Sequence, residues 1–210
     1  MSFRQGGPGR RCRALLGVAL FGVVLAPADP AAAGRLTDFS QEEFRTLPRI
    51  CLAQQFINEE LESPAVPESE REELAKTLGH SFIHYHHYCW ALLYTARAAQ
   101  PGGDKFNYHR AVDNLDYVIR HADPSFALLP EVYVQKGNLL ERTGEGAAAV
   151  TEYRNALRAK SDYTPAYVAL AQHYVDAGAV AAARAALAEG LQHDPSSKVL
   201  AEKQAALMAR

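Results

Sequence analysis

Residues 130–163 read PEVYVQKGNLLERTGEGAAAVTEYRNALRAKSDY, and the next 34, residues 164–197, read TPAYVALAQHYVDAGAVAAARAALAEGLQHDPSS. Laid one over the other, Tyr133 falls on Tyr167, Gly137 on Ala171, Gly144 on Gly178, Ala149 on Ala183, Tyr153 on Leu187, Ala156 on Gly190, Leu157 on Leu191 and Ser161 on Pro195. Small residues meet small ones and large meet large, so the chain repeats itself with a period of 34. Each copy reads as two helices joined at Gly144 or Gly178, where glycine supplies the helix stop, and Pro195 ends the second hairpin because it cannot continue a helix. Small residues at 137 and 171, set against Ala149 and Ala183, predict a close approach of the two helices.

Such a unit resembles the tetratricopeptide-repeat (TPR) family. The matching places hold Tyr133, Gly137, Ala149, Tyr153, Ala156 and Ser161, then Tyr167, Ala171, Ala183, Leu187, Gly190 and Pro195. Departures are Lys136 for the usual leucine, Ser161 for the closing proline and Gly190 for the last alanine. The resemblance implies an all-α chain: a right-handed superhelix of TPR hairpins whose first helices line a concave groove.

Working outward, Trp90 and Leu93 have the spacing of a first helix, and Ala111, Leu115 and Val118 that of a second ending near Asp123-Pro124. This gives a degenerate repeat over about 87–124, with Gln100 to Tyr108 as a loop insertion and Ser125 to Pro130 as a lengthened link. The TPR domain is expected over 68–210, with a helix over 198–210 capping the stack through Val199, Leu200, Leu207 and Met208. Residues 34–67 form an N-terminal helical extension: Ser40-Gln41-Glu42-Glu43 is a capping box, and a second helix is expected from Arg49 to about Leu61. A further capping box at Ser69-Glu70-Arg71-Glu72 opens a long helix with Leu74, Leu78, Phe82, Tyr85, Cys89 and Leu92 on one face.

At the start, Arg4, Arg10, Arg11 and Arg13 precede an apolar run from Ala14 to Leu25 and then Ala31-Ala32-Ala33. This is the order of a secretory signal peptide, residues 1–33, cleaved after Ala33 or alternatively after Ala28, and it implies a periplasmic destination. The run is too short for a transmembrane helix, which needs roughly 20 apolar residues, so no integral membrane span is expected. Arg10-Arg11 hints at the twin-arginine route, and Cys12 precedes the apolar core, which argues against lipid attachment there. Removing residues 1–33 takes away four arginines and Asp29, so 22 basic and 24 acidic residues become 18 and 23. A mildly acidic remainder argues against a nucleic-acid partner.

Cys51 and Cys89 survive processing, and an oxidising compartment makes a disulfide between them the default, two buried thiols being the alternative. His80, His84 and His87 fall at i, i+4 and i+7 of the expected helix, the candidate metal cluster, with packing or hydrogen bonding as its plainer reading. The block His84-Tyr85-His86-His87-Tyr88-Cys89-Trp90-Ala91-Leu92, with Leu47-Pro48-Arg49-Ile50-Cys51 upstream, resembles a group of exported proteobacterial TPR proteins with a His-His-Tyr-Cys-Trp block. That resemblance spans roughly residues 47–160 and implies fold and export, with no assigned activity.

No Gly-x-Ser-x-Gly, His-Glu-x-x-His, phosphate-cradling glycine loop or Cys-x-x-Cys occurs, and the pairs Glu42-Glu43, Glu59-Glu60 and Glu72-Glu73 read as solvated helix faces. No catalytic residue and no cofactor is expected. By repeat position the groove residues are Glu131, Val134, Gln135, Asn138, Glu141 and Arg142, then Val168, Ala169, Gln172, Val175 and Asp176. TPRs that clamp acidic C-terminal peptides use lysine and asparagine where this chain has Val134 with Asn138 and Val168 with Gln172, so clamp-type binding is not expected. The expectation is a non-catalytic scaffold or adaptor that binds a protein or peptide in the bacterial envelope, as in assembly of a pilus, secretion or polysaccharide machine. Alternatives are a periplasmic metal-binding protein using the histidine-rich helix, and self-association through Tyr85, Tyr88 and Trp90.

Overall fold

A computed structural model describes residues 39–62 and 65–209. The expected signal peptide, 1–33, and the first residues of the extension lie outside the described residues. Three helical hairpins follow one another: α5 (His86–Ala99) with α6 (Phe106–His121), α7 (Leu129–Thr143) with α8 (Gly146–Ala159), and α9 (Thr164–Asp176) with α10 (Val180–His193). The last helix, α11 (Lys198–Met208), packs on α10 and α9. Before them come α1 (Gln41–Arg45), α2 (Arg49–Leu52), α3 (Gln55–Glu60) and α4 (Glu68–Leu78), then a 3-10 turn over His80–Tyr85. Each hairpin packs within itself and on its successor, the architecture of an all-α helical solenoid.

Core packing follows the repeat. Val134, Leu140, Ala149, Tyr153, Ala156, Ala166 and Leu170 join the second hairpin to the third, and Tyr167, Ala171, Ala183, Leu187, Leu200 and Leu207 join the third to α11. The helix stops are as read from the sequence: Gly144 and Gly178 have φ of 85° and 72°, a left-handed conformation that costs glycine little. The close approach at Gly137 is met by a different partner. A Cβ there would lie 2.7 Å from Cδ1 of Tyr153, so it is the Tyr153 ring, and not Ala149, that fills the space left by the missing side chain. Likewise a Cβ at Gly190 would meet Tyr167 Cγ at 2.8 Å and Leu200 Cδ1 at 2.9 Å.

In α11 the expected burial holds for Leu200 and Leu207, while Val199 is 49% and Met208 71% exposed. These two lie on the outer face, with no further repeat beyond them among the described residues. The insertion between α5 and α6 is shorter than expected, because Phe106, Asn107 and Tyr108 already belong to α6. The long link before α7 is filled by Phe126, buried against Tyr85 with ring centroids 6.0 Å apart.

The extension departs most from expectation. Ser40 and Glu43 form the capping box of α1 as read. The single helix from Arg49 is interrupted at Ala53 and Gln54, because the Gln54 side chain turns inward, 1% exposed. Its Oε1 accepts from Phe56 N at 2.8 Å and its Nε2 donates to Ile83 O at 2.9 Å. Helix α4 begins at Glu68 behind Pro67, and Ser69 makes no cap; Arg71 instead pairs with Glu68 at 2.5 Å. The long helix expected through Leu92 ends at Gly79, whose φ of 74° breaks the α geometry before the 3-10 turn. The Cys51–Cys89 disulfide is present, with a Cα–Cα separation of 5.6 Å, and ties α2 to α5. Arg97 on α5 adds an ion pair to Glu43 and lies 4.3 Å above the Phe39 ring, so extension and first hairpin share one core.

Candidate functional site

First helices of successive repeats, α5, α7 and α9, present equivalent positions to one concavity of about 360 Å³. Of the residues chosen by repeat position, Gln135, Asn138, Glu141, Arg142, Ala169, Gln172 and Asp176 line it together. Their side chains are organised. Tyr153 donates its hydroxyl to Asn138 Oδ1 at 3.0 Å, Gln172 Nε2 donates to Asp176 Oδ1 at 2.8 Å, and Glu141 Oε1 lies 2.6 Å from His173 Nδ1. Burial, and then the Glu141 carboxylate, push the Tyr153 phenol up from its ordinary pKa, so it stays a donor.

The other chosen positions lie elsewhere. Val134 is 8% exposed and belongs to the core with Ala166 and Leu170, so it cannot contact a ligand as it stands. Glu131 is half-buried and accepts from Tyr88 Oη at 2.6 Å and from Tyr85 Oη at 3.4 Å. Those two rings stack at 4.5 Å, and burial followed by neighbouring phenol or carboxylate charge raises both phenol pKa values. Val168 and Val175 line a smaller cavity of about 150 Å³ with Leu187, Lys203 and Leu207, under α11. Gln172 borders both cavities.

Thr95, Leu139, Tyr153 and His173 also line the groove and were not singled out from sequence. Thr95 was within reach: it sits five residues after Trp90, as Asn138 sits five after Tyr133 and Gln172 five after Tyr167. Arg142 also belongs to a second concavity of about 460 Å³, with Lys105, Tyr108, His109 and Thr143.

The histidines do not share one helical face. His80 and His84 are on the 3-10 turn and His87 on α5. His84 meets His80 edge-on at 6.2 Å and His121 of α6 at 5.5 Å between ring centroids. His87 stacks on Tyr117 at 3.8 Å and its Nδ1 lies 2.7 Å from Asn114 Oδ1, which fastens α5 to α6. His86 is buried, its Nδ1 2.6 Å from Ile83 O, between Phe56 at 4.5 Å and Trp90 at 4.6 Å. Burial is the main cause lowering His84, His86 and His87, with His86 brought down to about 4. Among the described residues, no group of three or more His, Cys, Asp or Glu is placed to hold a metal ion. The cluster reads as the joint between extension and first hairpin.

With the groove laid out, known proteins bear on the fold. Among solved structures the chain is similar to the crystal structure of a thermophilic TPR protein of Thermus thermophilus, at a TM-score of 0.52 and 23% identity, over 66% of this chain and 71% of that one. The likeness carries the fold: a TPR-like helical solenoid. No protein-family model matches the sequence, and no curated protein matches it.

Proposed function

We propose that the protein is a non-catalytic scaffold that holds a segment of a partner protein in the groove of α5, α7 and α9, and that it works outside the cytoplasm, in the cell envelope. One observation carries the first part. Residues taken from the repeat register alone, Gln135, Asn138, Gln172 and their neighbours, converge on one concavity lined by amides, a phenol, and a carboxylate in contact with an imidazole. Amide side chains offer donor and acceptor together, which suits the main chain of an extended peptide. The sequence holds no recognisable catalytic motif, and the groove acids Glu141 and Asp176 are occupied by His173 and Gln172. With Val134 buried and no lysine at either clamp position, the groove is not a carboxylate clamp of the acidic C-terminal kind.

The envelope location is supported by the signal-like first 33 residues and by the Cys51–Cys89 bridge, which suits an oxidising compartment. No helix among the described residues is long and apolar enough to cross a membrane. A role in assembling a pilus, secretion or polysaccharide machine fits such a scaffold. The test is affinity capture from envelope extracts, with crosslinking, comparing the parent with Asn138→Ala plus Gln172→Ala. The expected result is a specific partner held by the parent and released by the double change. A partner retained equally by both removes the groove from the account.

A further inference from the structure

We propose that the pocket of Lys105, Tyr108, His109 and Arg142, at the edge of the groove, is a subsite for an aspartate or glutamate side chain of the bound peptide. This rests on the groove reading above.

Both cations lie over one ring: Lys105 Nζ is 5.4 Å and the Arg142 guanidinium 6.0 Å from the centroid of Tyr108. Tyr108 is itself buried, so it is a fixed platform. His109 and Thr143 complete the lining, and no carboxylate is part of it. The neighbouring carboxylates each hold a local hydrogen bond: Asp104 accepts from Phe106 N at 2.9 Å, Glu145 accepts from Thr143 Oγ1 at 2.7 Å, and Glu141 Oε1 lies 2.6 Å from His173 Nδ1. Lys105 spends one N–H on Ala98 O at 2.8 Å and keeps the others, while neither it nor Arg142 forms an ion pair among the described residues.

Lys105 is the N-cap of α6, whose first N–H, at Phe106, is already answered by the Asp104 carboxylate, so the pull of the pocket on an anion comes from the Lys105 and Arg142 side chains themselves. Arg142 lines both the pocket and the groove, so the two adjoin at that side chain. A peptide whose main chain lies along Asn138 and Gln172 would bring one side chain to Arg142. The two cations then grip a carboxylate by charge-assisted hydrogen bonds.

The test uses a display library of random 12-residue peptides with blocked C-termini, selected on the purified parent and on Lys105→Gln plus Arg142→Gln. The expected result is an Asp or Glu fixed at one position among parent binders, lost in the double variant. The best such peptide should lose about fivefold in affinity on Arg142→Gln alone, a change at an exposed side chain that removes no internal hydrogen bond. Parent binders with no fixed acid, or an acid preference that survives the double variant, each overturn the subsite. Peptides that bind without an acid and are released by Gln172→Ala leave the groove standing while the subsite falls. Binders indifferent to Gln172→Ala take down the groove reading itself.

Discussion

Tyr153, on the second helix of its repeat, reaches between α7 and α9 and donates to Asn138 Oδ1 at 3.0 Å on the concave face. One side chain thus fills the space above Gly137, stands in the core and sets the orientation of a groove amide. Packing and proposed recognition meet at that phenol.

Substitution at Gly137 should expose the first of these roles. Alanine would gain up to about 1 kcal/mol in helix propensity, yet its methyl would press on the Tyr153 ring, and overpacking costs about 1–3 kcal/mol. Gly137→Ala is expected to lower stability in urea by about 1–2 kcal/mol. Unchanged stability would mean that the ring can move away freely.

Removing only the hydroxyl separates the roles. Tyr153→Phe leaves the ring in place and should cost about 1 kcal/mol for the lost hydrogen bond. Ligand affinity should fall with it, because Asn138 is then free to rotate. A variant that keeps full affinity would show that the amide needs no such support.

The extension is covalently pinned. Cys51 and Cys89 are 38 residues apart, and closing a loop of that size stabilises by about 4 kcal/mol in the chain-entropy account. Cys51→Ser, or reduction of the parent, should lower the urea midpoint accordingly. If reduction leaves the midpoint unaltered, the bridge does not constrain the unfolded chain.

Acid should loosen the same region. His86 is held neutral by burial, its pKa brought from 6.5 to about 4, so between those values the unfolded chain binds a proton that the folded chain does not. Stability is therefore full above about 6.5 and declines as pH falls towards 4, by at most roughly 3 kcal/mol for this group. His84 and His87 are lowered as well and act in the same direction. Denaturation midpoints across this range, compared with His86→Phe, isolate the contribution. A parent and variant with parallel pH profiles would contradict it.

Helix α11 packs on the third hairpin through few side chains. Leu200 is fully buried, and its truncation to alanine should cost about 2–5 kcal/mol, whereas Met208→Ser, at an exposed site, should stay within about 0.5 kcal/mol. Thermal denaturation of the two variants checks the contrast.

The repeats were legible because their spacing is enforced by local packing: Tyr133 and Tyr167, Gly144 and Gly178 recur where each hairpin needs them. The extension was not, because its breaks are decided by distant partners. Nothing near Gln54 in sequence announces that its amide will bind Ile83 O. The apolar spacing from Leu74 to Leu92 runs on through Gly79, although that residue turns the chain. In the groove, the register located Asn138 and Gln172 but counted Val134 as exposed, since α9 covers it. Lys105 and His109 escaped notice because the lengthened α5–α6 link obscures the register of the first repeat.

Occupation of the concave face by a partner segment can be read directly by crosslinking. A photo-crosslinking amino acid at Gln172, lining the groove, and another at Arg154, on the cavity bordered by Ala182 and Ala185, can be compared in the native host. A discrete crosslinked partner is expected from position 172, lost when Asn138 is changed to alanine, and none from position 154. Crosslinking from 154 with silence at 172 would contradict it.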